Sequence, residues 1–323
     1  MTLLLHDTLT REARPLEPQA PGDPVRLYHC GPTVYGRQSI GNFRAFLFAD
    51  LLRRRLEAAG LSVLQVMNIT DVGHLTIDDR DEGEDKMEKA AREEGLDPWK
   101  IAERYTELFF ADLDRLMIRR AHHYPRATDH IAEMIDVIQA LIAKDLAYEI
   151  DGEVYYDVHA FPGYGRLSGN RPEDLEAGAR VAVNTAKRDP LDFLLWKRDE
   201  KHLMQWDSPW GRGFPGWHVE CSAMSVKYLG ETIDLHTGGE DNIFPHHDCE
   251  IAQSDGAFGH PVVGQWAHVR FLQVDGGKMS KSLGNVYSLD DVEERDFSMR
   301  ELRFALIRTH YRQELNFTWG GME

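Results

Sequence analysis

The sequence is short of thiols, short of positive charge and free of long apolar runs. Three cysteines in 323 residues exclude a disulfide framework, and reduced thiols remain able to bind metal. No run of 18 apolar residues occurs and the N-terminus has no charged-then-apolar signal, so the expectation is a soluble, cytoplasmic protein with no membrane partner. Lysine and arginine number 37 against 54 acids, a net charge of −17, which excludes a protein that coats nucleic acid non-specifically. Any such contact must be local, at Arg53-Arg-Arg55, Arg119-Arg120 or Lys278 to Lys281, each of which could equally be a solvated face. What remains is ordinary for a globular protein, with 42% hydrophobic and 28% charged residues and enough length for two or three structural units around a full core.

The few cysteines sit in suggestive company. Gly216-Trp-His-Val-Glu-Cys-Ser-Ala-Met224 and Phe244-Pro-His-His-Asp-Cys-Glu250 supply Cys221, His246 and Glu250. On a helix, positions i and i+4 share a face, so His246 and Glu250 can converge on one ion with Cys221 approaching from the preceding element. Cys30 lies where an expected strand, Val25–His29, runs into the turn Gly31-Pro-Thr33. Two thiolates, an imidazole and a carboxylate suit tetrahedral zinc. Against this, a buried cysteine is more often a small core hydrophobe, and a His-His pair on a helix is usually at the surface. Cys249, three residues after His246, is a softer ligand than Glu250, and His218 precedes Cys221 by three, so residue chemistry alone leaves the ligand set open.

Along the chain, the strand at 25–29, the glycine-bearing turn through Gly41-Asn42, a helix with Phe43, Phe46, Leu47, Leu51 and Leu56 ended by Gly60, and a Val-rich run from 61 to 69 form a strand–turn–helix–strand unit. The spacing predicts an α/β fold, half of a doubly wound parallel sheet whose ligand lies at the carboxyl ends of the strands. The acidic stretch 78–89 reads as a flexible loop leading into a helix. Asp97-Pro98 opens another helix, and a further one follows over 128–144. The period changes to two around Asp151-Gly152, predicting a hairpin. A hairpin is foreign to an alternating α/β pattern, so residues 118–205 read as an insertion. Later come a helix from Trp217 to Leu229, a strand at 232–236 followed by Thr237-Gly-Gly-Glu-Asp241, and the loop Asp275 to Asn285, whose Lys278 and Lys281 suit a polyphosphate. Ser288-x-x-Asp291 and Ser298-x-x-Glu301 open two short helices.

Lys278-Met-Ser-Lys-Ser282 matches the second signature of class I aminoacyl-tRNA synthetases, and Ile40-Gly41-Asn42 falls where the first would end. With Cys30-Gly-Pro-Thr-Val-Tyr35, Asn68-Ile-Thr-Asp-Val-Gly-His74, Glu82-Gly-Glu-Asp-Lys86 and the two segments above, nearly the whole chain resembles the cysteinyl-tRNA synthetases. The resemblance implies ATP-dependent activation of L-cysteine and transfer to tRNA-Cys, with Zn2+ bound once per chain by Cys30, Cys221, His246 and Glu250, and Cys249 at a position where the family commonly has asparagine. It further implies a substrate pocket of Trp217, Thr33 and Asp241, the last a buried acid receiving the ammonium. Gly41, Gly238, Gly239 and Lys281 would bind ATP with its Mg2+, and Lys278, Lys281, Ser39 and Asn42 would act on the phosphates. The expected division is 1–117 and 206–270 as two halves of a Rossmann-like catalytic domain, 118–205 as the connective insertion, and 271–323 as the signature loop with the start of stem-contact helices, in a monomer.

Two departures follow. The first signature reads Tyr35-Gly-Arg-Gln-Ser39-Ile-Gly-Asn42, so its histidine is replaced by Ser39, and Arg37 or Gln38 is a candidate substitute toward phosphate. The family also continues beyond the point corresponding to Glu323, into an anticodon-binding region, so tRNA charging is expected to suffer more than cysteine activation. Two other readings compete: a tRNA-independent cysteine ligase of the mycothiol cysteine ligase type, and a zinc- or cysteine-binding relative without catalysis.

Overall fold

Alternation along one strand decides where the rest of the molecule packs. The computed structural model describes residues 3–77, 82–172, 187–280 and 283–322. In Val25–His29 (β1), Val25 and Leu27 are buried with Phe48, Leu52 and Leu56 on one face. Tyr28, and Cys30 just beyond the strand, are buried with Cys221 and Leu229 on the other. This period of two is that of a strand covered on both sides. The helix on the first face is Ile40–Ala58 (α1); on the second lies Trp217–Leu229 (α2), with Asp248–Phe258 (α3) packed against it.

β1 is an inner strand of a four-stranded parallel sheet. On one side it pairs with Val63–Met67 (β2), reached through α1, with Leu27 opposite Gln65. On the other it pairs with Leu235–Gly239 (β3), which pairs in turn with Trp266–Val269 (β4). The connections from β1 and to β3 thus diverge between these two strands, and such a switch point leaves a crevice at the carboxyl ends. The α/β class expected from the pattern is the one observed. β3 is displaced from its expected position, running over Leu235–Gly239 where 232–236 was read, so Gly238 and Gly239 are inside the ladder with His268 and Val269 opposite. Backbone pairing needs no side chain, and β4 supplies the partner.

The hairpin expected around Asp151-Gly152 joins Ala147–Ile150 to Glu153–Tyr156, both turn residues having positive φ (55° and 87°) as the twist of a two-residue hairpin requires. Phe193–Arg198 and Gly213–Pro215 extend it to a four-stranded antiparallel sheet. Where a loop was read from 78 to 89, Leu75–Ile77 pairs antiparallel with Glu82–Asp85, and the helix Lys86–Glu94 starts at once. The Asp85 side chain accepts from the Met87 and Glu88 amides, which fixes that start. Residues 78–81 lie outside the described residues. Ser288 and Ser298 each close a capping box, with Asp291 and Glu301 respectively, as read. No helix among the described residues is long and apolar enough to cross a membrane.

Four arginines of the two clusters weighed as nucleic-acid contacts are paired with acids of the same protein. Arg53 and Arg119 both pair with Glu57, Arg54 and Arg303 with the buried Asp50, and Arg120 with Asp114. These ion pairs tie α1 to the segment after Leu116 and to the helix Met299–Ile307.

Candidate metal centre and adjoining cleft

The segments after two strands and one turn of a helix bring ligand-forming side chains to the crevice. Cys30 follows β1; Cys221 lies on the second turn of α2; His246 and Glu250 follow β3. The ligand atoms of these four lie within 4.8 Å of one another. The Cys30 and Cys221 sulfurs are 3.9 Å apart, Cys30 Sγ is 3.5 Å from Glu250 Oε1, and His246 Nε2 is 3.0 Å from the same oxygen. His246 and Glu250 do meet at i,i+4, although α3 begins only at Asp248. His246 belongs to a wider π-type turn over Ile243–His247 that includes extended backbone at Phe244.

The His-His pair is buried, not superficial. His247 offers a second grouping of four with Cys30, His236 and Glu250. Its bonds give it a supporting role, since Nε2 is 3.1 Å from Cys30 Sγ and Nδ1 is 2.7 Å from His268 Nε2. His268 Nδ1 is in turn 2.7 Å from the Thr8 hydroxyl. A neutral His247 that donates to Cys30 must accept from His268, which must then accept from Thr8, so one set of tautomers satisfies the whole chain. Burial, followed by neighbouring histidines, pushes His247 down and holds His268 at about 3, in keeping with neutral rings. His236 Nε2 donates to Glu250 Oε2 at 2.9 Å, and His218 Nδ1 lies 2.7 Å from His246 Nδ1. Such outer partners fix ligand orientation.

Of these, His236 and His268 carried no role in the sequence reading, and His218 and the His-His pair entered it only as competitors within the ligand set. A signal was present: β1, β3 and β4, each expected or found as buried strands, carry His29, His236 and His268, which is unusual in apolar strands. Cys249 is fully buried on the far side of α3's seam, 3.6 Å from the Tyr164 hydroxyl, and belongs to neither grouping.

The electrostatics favour a cation here. Burial would lower His246, but Cys221 and Glu250 outweigh it and hold it up at about 10. Burial likewise opposes a Cys221 thiolate, yet the Cys30 thiol and His246 draw it down to about 6. His236 and His246 overcome burial to keep Glu250 ionised, whereas burial and Cys221 push Cys30 up. The cluster therefore gathers anionic donors around one imidazole.

Cys30 also lines a cleft of about 660 Å³, which runs past Thr33, Trp217 and Asp241 to Gly41 and Lys278. Trp217 stacks on His74 (ring centroids 4.0 Å apart) and lies 4.4 Å from the His246 ring. Asp241, expected to be buried, is exposed as a residue on the cleft wall, while its carboxylate packs on the bare side of Gly239, where a β-carbon would stand 2.3 Å from Oδ1, and burial there pushes the carboxyl group up. The bare side of Gly238 is filled by His247 and Asn242 (2.8 and 2.9 Å from the built β-carbon), and that of Gly41 faces Met279 at 3.3 Å. The bare sides of Gly238 and Gly239 thus face the protein's own side chains, and Gly239 also lines the cleft. Lys278 is exposed at the cleft mouth; Lys281 and Ser282 lie outside the described residues.

Ser39 and Asn42 cap α1. The Ser39 hydroxyl donates to Asn42 Oδ1 at 2.7 Å, the Ser39 amide donates to the same oxygen at 3.0 Å, and the Asn42 amide donates to Ser39 Oγ. The proposed substitutes are engaged elsewhere. Arg37 pairs with Asp290 at 3.0 Å and Asp112 at 3.6 Å, and Gln38 donates to the carbonyls of Thr33 and Gly36. Ser39→Ala should therefore cost about 1 kcal/mol in urea denaturation, and an unchanged midpoint would remove the capping role.

Residues 17–323 match the family described as tRNA synthetases class I (C) catalytic domain. A cysteine–tRNA ligase of Thermus thermophilus is 51% identical over 324 residues, covering 100% of this chain and 67% of that protein. Cysteine–tRNA ligases of Treponema denticola and Chlorobaculum tepidum are 50% and 48% identical, with 100% and 98% of this chain and 66% of each relative covered. The chain thus spans about two thirds of the length of these relatives. Among solved structures, Mycobacterium tuberculosis methionyl-tRNA synthetase in complex with methionyl-adenylate superposes with a TM-score of 0.69 at 15% identity, over 93% of this chain and 67% of that one. At that identity the likeness speaks for the fold.

Proposed function

Because the chain belongs to the family of class I tRNA synthetase (C) catalytic domains, we propose that it activates L-cysteine with ATP and passes it to tRNA-Cys, selecting the substrate as a thiolate at a zinc ion. The observation that carries this reading is the convergence of Cys30, Cys221, His246 and Glu250 within 4.8 Å at the head of the cleft. Two sulfurs, an imidazole nitrogen and a carboxylate oxygen are the donor types zinc accepts. Bound zinc would supply a preference for sulfur over the hydroxyl of serine, so that no editing is needed.

The chain's own residues do the rest. Trp217 walls the pocket, Asp241 receives the ammonium, and Thr33 contacts the substrate. ATP with Mg2+ lies toward Gly41 at the start of α1, where helix amide groups favour phosphate. The cysteine carboxylate attacks the α-phosphate, the bond to pyrophosphate breaks, and cysteinyl-adenylate forms. The terminal hydroxyl of tRNA then attacks the activated carbonyl, and AMP leaves. Lys278 and Lys281 neutralise charge at the phosphates while positioning accounts for the remainder. In this reading 1–117 and 206–270 are the two halves of the catalytic domain around the 118–205 insertion, and 271–323 carries the signature loop.

Cysteine-dependent exchange of pyrophosphate into ATP tests the first step. Exchange with cysteine and not with serine is expected, and Lys281→Ala should lower it by ~10²-fold or more. Acceptor screening with tRNA-Cys and an amino sugar separates the synthetase from a tRNA-independent ligase. A zinc-loaded protein that binds cysteine without exchange would instead be a non-catalytic binder.

A further inference from the structure

The signature loop and the segment after it touch the start of α1 and the turn before it at three places, and one of them is a side chain that the mechanism above does not use. The base of the loop is bridged by Asn285, whose Oδ1 accepts from the Ser280 amide at 2.8 Å and whose Nδ2 donates to the Lys278 carbonyl at 3.1 Å. Wherever Asn285 is held, the backbone of Lys278 is held with it. Met279 lies against Gly41, its Cε 3.3 Å from where a β-carbon would stand. Just past Asn285, the Tyr287 carbonyl accepts from the Ile40 amide, at the first residue of α1, at 2.9 Å. Ser288 then caps the short helix Leu289–Glu293. Its Asp290 makes the third contact, with Oδ2 3.0 Å from Arg37 Nη2.

An ion pair this open, with 34% of the Arg37 side chain and 44% of Asp290 exposed, would contribute little by itself. It belongs to a network. Arg37 Nη1 is 3.6 Å from Asp112 Oδ2; Arg115 Nη1 reaches Asp112 Oδ1 at 2.6 Å and Asp290 Oδ1 at 2.9 Å, and its Nη2 is 2.9 Å from Glu293 Oε2. Asp112 is only 3% exposed and lies, with Arg115, on the last turn of the helix Pro98–Arg115. The buried carboxylate gives both arginines a fixed support, so the network joins the turn before α1, a long helix and the segment after the loop. Arg37 lines the cleft together with Ser39, Gly41 and Lys278, yet its charge is committed to these acids. We propose that Arg37 is a positioning residue for adenylate formation: by holding Asp290 it keeps the base of the signature loop against the start of α1, where Lys278 is placed toward the phosphates of ATP; this rests on the synthetase reading above. A cation that meets charge developing in the transition state must be in place before the reaction begins. Arg37 supplies that placement without touching the nucleotide.

The test is cysteine-dependent pyrophosphate exchange by the full chain, with hydrogen exchange of residues 283–293 measured alongside. Arg37→Met should lower kcat about tenfold while the KM for ATP changes less than about twofold. Asp290→Asn should do the same, and Arg37→Lys, which keeps one of the two pairs, should recover part of the loss. Because Arg37 acts through the loop, Arg37→Met should cost almost nothing further in a Lys278→Met background. Residues 283–293 should exchange hydrogen faster in Arg37→Met than in the unaltered protein. The inference is overturned if Arg37→Met leaves kcat unaltered or raises only the KM for ATP. It is equally overturned if the losses from Arg37→Met and Lys278→Met multiply while Asp290→Asn is silent, the pattern of an arginine that binds phosphate directly. An unaltered protein without cysteine-dependent exchange would overturn the synthetase reading itself; hydrogen exchange would still judge the anchor, and unchanged rates in Arg37→Met would overturn it.

Discussion

Cys221→Ser should strip the protein of its metal and, with it, of cysteine activation. Cys221 is 2% exposed, with its sulfur 3.9 Å from that of Cys30. A serine oxygen at that place is shorter than sulfur and remains protonated near neutrality, so it offers neither the reach nor the charge of the thiolate. Loss of an outer partner commonly costs 10–100-fold in metal affinity, and losing a direct ligand should exceed that. After dialysis against a mild chelator, elemental analysis should give about one zinc per chain for the unaltered protein and almost none for the variant, with pyrophosphate exchange lost in parallel. Cys249→Ala is the control: its sulfur belongs to neither ligand grouping, so metal content should stay near one while stability falls by about 1–2 kcal/mol. Normal zinc content and cysteine affinity in Cys221→Ser would falsify the ligand assignment.

Gly31→Ala should be nearly as damaging without touching a ligand. A β-carbon at Gly31 would lie 1.7 Å from the Asn68 carbonyl oxygen and 2.8 Å from its carbonyl carbon. Both are backbone atoms just past β2, and the Gly31 amide donates to Asn68 Oδ1 at 2.8 Å, so neither side can yield cheaply. Relief needs a shift of more than about 1 Å in the segment that carries Cys30, and overpacking of this kind costs about 3 kcal/mol or more. Urea denaturation should show that loss, and zinc content should drop because Cys30 leaves its three partners. A variant with the native midpoint and full metal content would mean that Cys30 is not held by this contact.

How much of this was readable in advance depends on whether the signal lay along one segment or between segments. The strand–turn–helix–strand unit was legible because Val25, Leu27 and the α1 stripe repeat at their own periods. The hairpin was legible because Asp151-Gly152 has a conformational reason to turn. His246 and Glu250 were legible as a pair by spacing, but the choice among His246, His247, Cys249 and His218 was not, since four residues of similar chemistry differ only in which way a distant strand makes them face. The resemblance, not the spacing, named His246. Ser39 was read as a weakened phosphate contact, although Ser39-x-x-Asn42 has the same form as the caps recognised at Ser288 and Ser298. Arg53, Arg54 and Arg119 looked like surface charge because the acids that absorb them are brought there by packing. Asp241 was expected inside and stands on the cleft wall, its carboxylate against the bare side of Gly239, a contact between neighbours two apart that no periodicity announces.

The placement of β1 between β2 and β3 also bears on how the molecule comes into being. Cys30 and Cys221 are 191 residues apart, and β1's partner on that side, β3, starts at Leu235. At common synthesis speeds the second thiol leaves the ribosome roughly 10–40 seconds after the first. During that interval β1 can zip to β2, whose residues follow closely, but its other edge has no partner and its thiol no companions. Closing so long a loop carries a large entropic cost that only late contacts repay. An ion gripping both thiols would act as a staple across about three fifths of the chain, and its capture would mark the moment at which the nascent polypeptide is committed to its final shape.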